Sequence, residues 1–268
     1  MNARDRALVA ELCGTRAGLA VDPDKAYLIE NRLGPVARQT GYGSAHDLMA
    51  AVRDRDDDRL AWAVVEAMSP AETAFFSDAP TLDTVIDDLF ADFAPGRQAE
   101  PVRIWAAACG AGQEAYSLAM LVAERAPTGA EIELFASDLS ERRLEAAQAG
   151  AFSQFEVQRG LSARRLVRHF ESHGEGFALS PHLRRTVRWG RVNLLDDPAR
   201  LGRFDLIVCR QLLGGLLDAP RAQVVSNLSG ALKPQGRLLF GAHDPGPDLA
   251  AQPVRPGLFT REQVQAAA

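Results

Sequence analysis

The sequence predicts an α/β fold, a mostly parallel, doubly wound sheet preceded by an all-helical region. Three observations carry that prediction. Residues 1–68 place apolar side chains at helical spacing and contain no convincing strand-like run. From residue 102 onward, short apolar runs alternate with amphipathic stretches, as strand–helix units around a parallel sheet require. Gly110-Ala111-Gly112 lies at the first strand-to-helix junction, the kind of turn at which such sheets hold ligands.

In the N-terminal region Asp22 and Pro23 offer a helix start, after which Ile29, Leu33 and Val36 fall on one face. Pro35 is expected to bend or end that helix. Ser44 to Asp47 has capping-box spacing ahead of Leu48 and Val52. Behind the polar run 53–59, Leu60, Val64 and Met68 mark a further helical stripe. Ser69, Pro70 and Glu72 read as the cap, first-turn proline and reciprocal cap of another helix, continued by the amphipathic 82–94. Runs 102–109, 132–138, 204–210 and 236–243 read as strands, and 186–194 as extended; 114–126, 141–150 and 220–232 read as helices.

Residues 159–191 interrupt the alternation. Eight arginines oppose two glutamates there, a surplus of six positive charges on a chain of net charge −5. Ser180-Pro181 reads as the centre of a small hairpin. The arginines fit either a solvated face or a docking surface.

Hydrophobic content of 47% and charged content of 24% exclude wholesale disorder. The acidic balance gives no general attraction to nucleic acid or anionic membrane. Cys13, Cys109 and Cys209 are too dispersed for a disulfide or metal framework. His169 and His173 lack the intervening H-E-x-x-H pattern, so no metal is expected. No signal-peptide-like start and no apolar run of spanning length is present, which points to a cytoplasmic protein without membrane insertion.

Gly110 to Ala115 satisfies a loose G-x-G-x-x-A dinucleotide pattern. Glu114 argues against a pyrophosphate, which wants bare amides at a positive helix end. S-adenosylmethionine has no phosphate and carries an ammonium and a sulfonium, which a carboxylate suits. Asp138, ending the second strand-like run, can accept both ribose hydroxyl hydrogens. Capping of the helix after Asp138-Leu139-Ser140 is the alternative role.

With these residues in place, the chain resembles the CheR family of chemotaxis methyltransferases over most of its length. "MSPAETAFFSD" is similar to the family's T-x-N-E-T-x-F-F-R segment, and "IWAAACGAGQEAYSLAM" to its W-S-A-G-C-S-T-G-E-E-P-Y-S-L-A-M signature. "ASDLSERRLEAAQAGAF", "RGLSARRLVRHF", "VNLLD", "FDLIVCR" and "LKPQGRLLFG" follow in family order. The resemblance implies an N-terminal helical domain (1–68) and a Rossmann-like, S-adenosylmethionine-dependent methyltransferase domain (69–268). It also implies a small β-subdomain inserted at about 159–191. The implied reaction is methylation of chemoreceptor glutamates. The implied partner is a receptor's cytoplasmic domain, met through Arg159–Arg191 and the N-terminal helices.

By position, the resemblance assigns Thr73, Glu114, Asp138, Asn193, Leu194, Gln211 and Leu212 to the cofactor, and the glycine turn adds Gly110, Gly112 and Gln113 to the expected cofactor-binding set. Several family residues are replaced. Ala71 stands for the asparagine before E-T, Gln113 for the first glutamate of G-E-E, and "GAHD" for the closing G-H-S-E. Ser77 stands for the arginine after F-F, and Gly215 for a tyrosine placed by the transferring methyl. No catalytic residue is therefore assigned, and a catalytically impaired cofactor-binding signalling module is the alternative function. An NAD-dependent oxidoreductase rests on the glycine pattern alone. A nucleic-acid methyltransferase rests on the arginine segment, without the N/D-P-P-Y/F loop used on flipped bases.

Overall fold

A computed structural model describes residues 1–55, 57–70, 73–91, 100–241, 244, 255 and 257–265. The N-terminal region forms α1 (Ala3–Ala17), α2 (Ala26–Gln39), α3 (Ala45–Arg55) and α4 (Asp58–Met68). Asn2 and Asp5 close a capping box on α1, and Gly18 ends it in the left-handed conformation. Ser44 Oγ takes the Asp47 N–H at 3.1 Å, as the capping spacing predicts. Two expectations are corrected in α2. It starts behind Lys25 without a side-chain cap instead of at Asp22-Pro23, and it runs through Pro35 to Gln39. Burial of Ile29, Leu33, Val36 and Ala37 on one face outweighs the hydrogen bond that Pro35 removes.

The segment after α4 also departs from expectation. Ser69 is the C-cap of α4, not the start of a helix, and α5 (Ala79–Ala91) begins ten residues later. Phe75–Asp78 form turns, with Phe76 and Asp78 at φ 46° and 55°. Phe75, fully buried, stacks edge-on against Phe152 and Phe170, so aromatic burial fixes this backbone where helix capping was expected to. Ala71 and Glu72 lie outside the described residues.

Strand and helix then alternate: β1 (Val102–Ala107), α6 (Gln113–Arg125), β2 (Ile132–Asp138) and α7 (Glu141–Ala149). β3 (Ala151–Ser153), α8 (Gln154–Gln158), α9 (Ala163–His169), β4 (Phe170–His173), β5 (Gly176–Leu179) and α10 (Pro181–Arg184) follow. β6 (Val187–Arg191), β7 (Phe204–Cys209), α11 (Asp218–Gly230), β8 (Leu232–Phe240), β9 (Leu258–Thr260) and α12 (Arg261–Gln265) complete the described chain. The large sheet has the order β6-β2-β1-β7-β8-β9. All neighbours are parallel except β9, which runs antiparallel to β8.

A separate antiparallel sheet, β3-β5-β4, is built from residues 151–179. Its tight turn falls between β4 and β5, whereas Ser180-Pro181, read as a hairpin centre, opens the short helix α10. Proline at the first helical position favours that outcome. The run Val187–Arg191 joins the large sheet instead, in register with Leu134–Asp138.

The core has two apolar clusters, one on each face of the large sheet. One contains Trp105, Ile207 and Phe204 and continues without a break into the N-terminal helices through Val9, Leu33 and Leu48. The other joins Ile104, Tyr116 and Val208 to the small sheet through Phe75, Phe152 and Phe170.

Candidate functional site

In the large sheet the chain leaves β1 toward β2 and β6 on one side, then returns to β7 and β8 on the other. The crevice at that reversal, beyond the C-terminal ends of the strands, is where open α/β sheets bind ligands. Two adjoining hollows occupy it, about 480 and 430 Å³ counted out to their open mouths. Both are lined by Ser69, Ala108, Asp138 and Leu212. The first adds Thr73, Ser77, Glu114, Arg210 and Gln211. The second adds Asn193, Leu194 and, from the end of α1, Ala17 and Leu19.

Asp138 sits between the hollows, buried, with each oxygen already engaged once. Oδ2 accepts the Gly110 N–H at 2.8 Å and Oδ1 the Ser140 N–H at 2.9 Å. Ser140, not Asp138, is the N-cap of α7, and Asp138 Oδ1 holds the N–H of that cap residue. A carboxylate has about four acceptor directions, so lone pairs remain for a ligand.

In the first hollow Glu114, on the first turn of α6, is buried against Arg210 at the end of β7. Two guanidinium nitrogens of Arg210 converge on Glu114 Oε1, and a third donates to the Ser77 carbonyl. The hollow thus offers adjacent negative and positive groups in a low-dielectric setting. Glu114 sets a carboxylate in the first turn of α6, where a pyrophosphate would need bare amides.

Gly110, Gly112 and Gln113 support the cleft from behind. Gly110 has φ 56°, and a Cβ there would come within 2.6 Å of Thr73 Cγ2, so glycine suits this turn and lets Thr73 approach. Gln113 accepts from the Thr73 hydroxyl and donates at 3.2 Å to Glu156 of α8. Asn193 donates to the Arg16 carbonyl at 2.8 Å, which fastens the end of α1 over the second hollow. Among the positions of the expected replacements, Ser77 lines the first hollow. Gly215 lies outside both linings, its Cβ direction 3.4 Å from Pro70.

A family model described as "CheR methyltransferase, SAM binding domain" matches residues 71–249. The chain belongs to the CheR methyltransferase family. Chemotaxis protein methyltransferase 1 of Pseudomonas aeruginosa is 34% identical over 233 residues, covering 85% of each chain. Chemotaxis protein methyltransferase Cher2 of Pseudomonas putida is 32% identical over 235 residues, again with 85% of each chain covered. The cofactor of this CheR-family chain is S-adenosylmethionine.

Within that family frame, four features were missed by sequence reasoning. Arg210 is in the quoted "FDLIVCR", but nothing in spacing shows that it meets Glu114, 96 residues away. Arg143 reaches from α7 to Asp138 and to the end of α4. Asp244 accepts from the N–H groups of Gln211 and Gly241 at 2.8 and 2.9 Å, holding Gln211 at φ 60° over the cleft. Ala242 and His243 of "GAHD" lie outside the described residues. Ala108 adopts φ 54°, and the family signature has glycine at that position, a signal the sequence did offer. The neighbouring Cys109 thiol is buried and its pKa is raised well above the usual range, chiefly by desolvation. It is no nucleophile at neutral pH.

Proposed function

We propose that this protein is a CheR-type protein-glutamate O-methyltransferase acting on chemoreceptor cytoplasmic domains, and that it works in the cytoplasm. One observation carries the reading. The ionisable groups among the described lining residues are Glu114, Asp138 and Arg210, and each is already tied to a partner. Glu114 and Arg210 are committed to each other and the unused lone pairs of Asp138 go to the ribose, so none of the three is assigned as a base for the acceptor. An amine or alcohol acceptor needs such a base, whereas a glutamate side chain, with a reference pKa of about 4.3, arrives ionised. Alignment then becomes the main demand, and positioning alone supplies several kcal/mol.

The cleft fits the cofactor on its own terms. Asp138 would hold the ribose hydroxyls through its unused lone pairs, and Asn193 and Leu194 would flank the adenine beside the apolar end of α1. Glu114 would face the ammonium and Arg210 the carboxylate of the amino-acid end, opposite charges set side by side. Thr73 and Gly110 close that end, with Gln113 orienting the Thr73 hydroxyl and Gly112 opening α6. Gln211 and Leu212 form the opposite lip. Bound there, S-adenosylmethionine supplies a methyl group on a positively charged sulfur.

The receptor surface would be met by the small sheet, the arginines around it and the N-terminal helices. Arg165 and Arg191 are spent on Glu124 and Glu66, while Arg164 and Arg168 line an open groove that suits acidic side chains. The test is incubation with methyl-labelled cofactor and receptor cytoplasmic fragments. A base-labile methyl ester on a receptor glutamate is expected; none on any cognate receptor would sink the assignment. The second reading, a cofactor-binding module without turnover, is favoured by Ser77 lining the cleft where the family has arginine. Turnover appearing only after Ser77→Arg with Gly215→Tyr would establish it.

A further inference from the structure

Arg143 makes contacts that neither its sequence position nor the family motif explains. It lies on α7 with a mostly buried side chain, where desolvation lowers its pKa and the nearby Asp138 charge opposes that effect. Its Nη2 donates to the Ser69 carbonyl at 2.7 Å and meets the Glu66 carbonyl at 3.4 Å. Its Nη1 donates to the Pro70 carbonyl and to Ser69 Oγ at 3.2 Å. The same nitrogen lies 3.7 Å from Asp138 Oδ1. A cation over the last carbonyls of α4 also complements the helix dipole. Both Nη nitrogens donate to the Glu66, Ser69 and Pro70 segment, and Asp138 meets the guanidinium as a charge rather than as an acceptor; a lysine ammonium cannot reproduce that forked set.

Ser69, Pro70 and Asp138 all line the cleft, so this one side chain joins two of its walls. We propose that Arg143 is a positioning residue for the ribose site: it clamps the Ser69-Pro70 segment against Asp138, and the wall facing that carboxylate is held over the sugar only while the clamp is closed. The inference rests on the cofactor placement proposed above. It makes the turn after α4, which also carries Thr73 and Ser77, part of the sugar-binding element. Loss of Arg143 removes the positive charge beside Asp138, whose carboxylate the Gly110 and Ser140 N–H groups still hold, and lets the Ser69-Pro70 wall withdraw from the sugar.

The test compares S-adenosylhomocysteine with its 2′-deoxy analogue by calorimetry on the full chain, wild type against Arg143→Gln and Arg143→Lys. The wild type is expected to prefer the ribose form by about tenfold or more, the weight of one charged hydrogen bond. In Arg143→Gln that preference falls to about twofold and affinity for S-adenosylhomocysteine drops about tenfold, with Arg143→Lys intermediate. A merely structural loss would weaken both ligands equally and leave the ratio intact. An unchanged ratio in either folded variant overturns the clamp while leaving the cofactor placement standing. Should Arg143→Gln not fold, the ratio measured on Arg143→Lys decides the same question. Failure of the wild type to bind either nucleoside overturns the cofactor placement and the clamp together.

Discussion

The Glu114–Arg210 pair gives the sharpest test of the site. Side-chain exposure is 9% for Glu114 and 6% for Arg210, so both charges are largely withdrawn from water. Glu114→Gln keeps the shape and removes the charge, leaving the guanidinium with an amide oxygen and the Ser77 carbonyl. Breaking a buried pair this way costs about 3–5 kcal/mol, and the open mouth of the cleft favours the lower end. At about 2–4 °C of melting temperature per kcal/mol for a domain of this size, about 3 kcal/mol becomes a drop of about 6–12 °C. Affinity for S-adenosylhomocysteine should fall by about ten- to a hundredfold as the ammonium loses its charged acceptor. Adding Arg210→Met removes the stranded cation. The double variant should therefore melt above the value that summed single losses give, with a coupling of about 1–3 kcal/mol. Thermal melts and calorimetry on the four proteins decide it. Additive losses, or a Glu114→Gln melting within about 1 °C of the parent, would refute the pairing argument. A large melting loss with unchanged ligand affinity would refute its placement at the amino-acid end.

Three further expectations follow from other parts of the fold. Ala108→Gly relieves a left-handed alanine costing about 1–2 kcal/mol, against an entropic penalty of about 0.4–1 kcal/mol, so the melting temperature should rise by a few degrees; a fall contradicts the strain. The Arg165 hydrogen bond holds the Glu124 carboxyl below its ordinary value of 4.5, with burial opposing and the Arg165 and His169 charges assisting. A depressed folded-state pKa means stability present above 4.5 and lost as pH falls through the lower folded value, so urea midpoints should decline more steeply below that pH in the parent than in Glu124→Gln; parallel curves disprove it. Burial pushes Cys13 up to about 12 and raises Cys109 and Cys209 well above the usual range. Iodoacetamide at pH 8 should therefore label no cysteine in the native chain and all of them in urea; stoichiometric native labelling counts against the packing.

The replacements within the family pattern have unequal structural meaning. Ser77 faces the cleft, and Arg210 donates to its backbone carbonyl, a contact independent of the side chain at that position. Gln113 is an amide that accepts from Thr73 and donates to Glu156; a glutamate there would set two carboxylates together. Gly215 accepts the Ala20 N–H at 2.8 Å, so its backbone ties the N-terminal segment to the loop after β7.

The sequence alone determined the strand–helix alternation, the glycine turn and Asp138, because periodicity, glycine chemistry and a carboxylate at a strand end are local properties written in consecutive residues. It misread Ser69-Pro70 and Ser180-Pro181, where two readings of the same local chemistry compete and distant packing selects one. The partner of Glu114, the clamp of Arg143 and the reach of α1 over the second hollow were settled only by tertiary structure. Those contacts join residues tens to more than a hundred positions apart. No spacing rule encodes such distances; they exist because two faces of one sheet must each be covered by apolar surface, and covering them brings the strand ends and helix ends together around a single cleft.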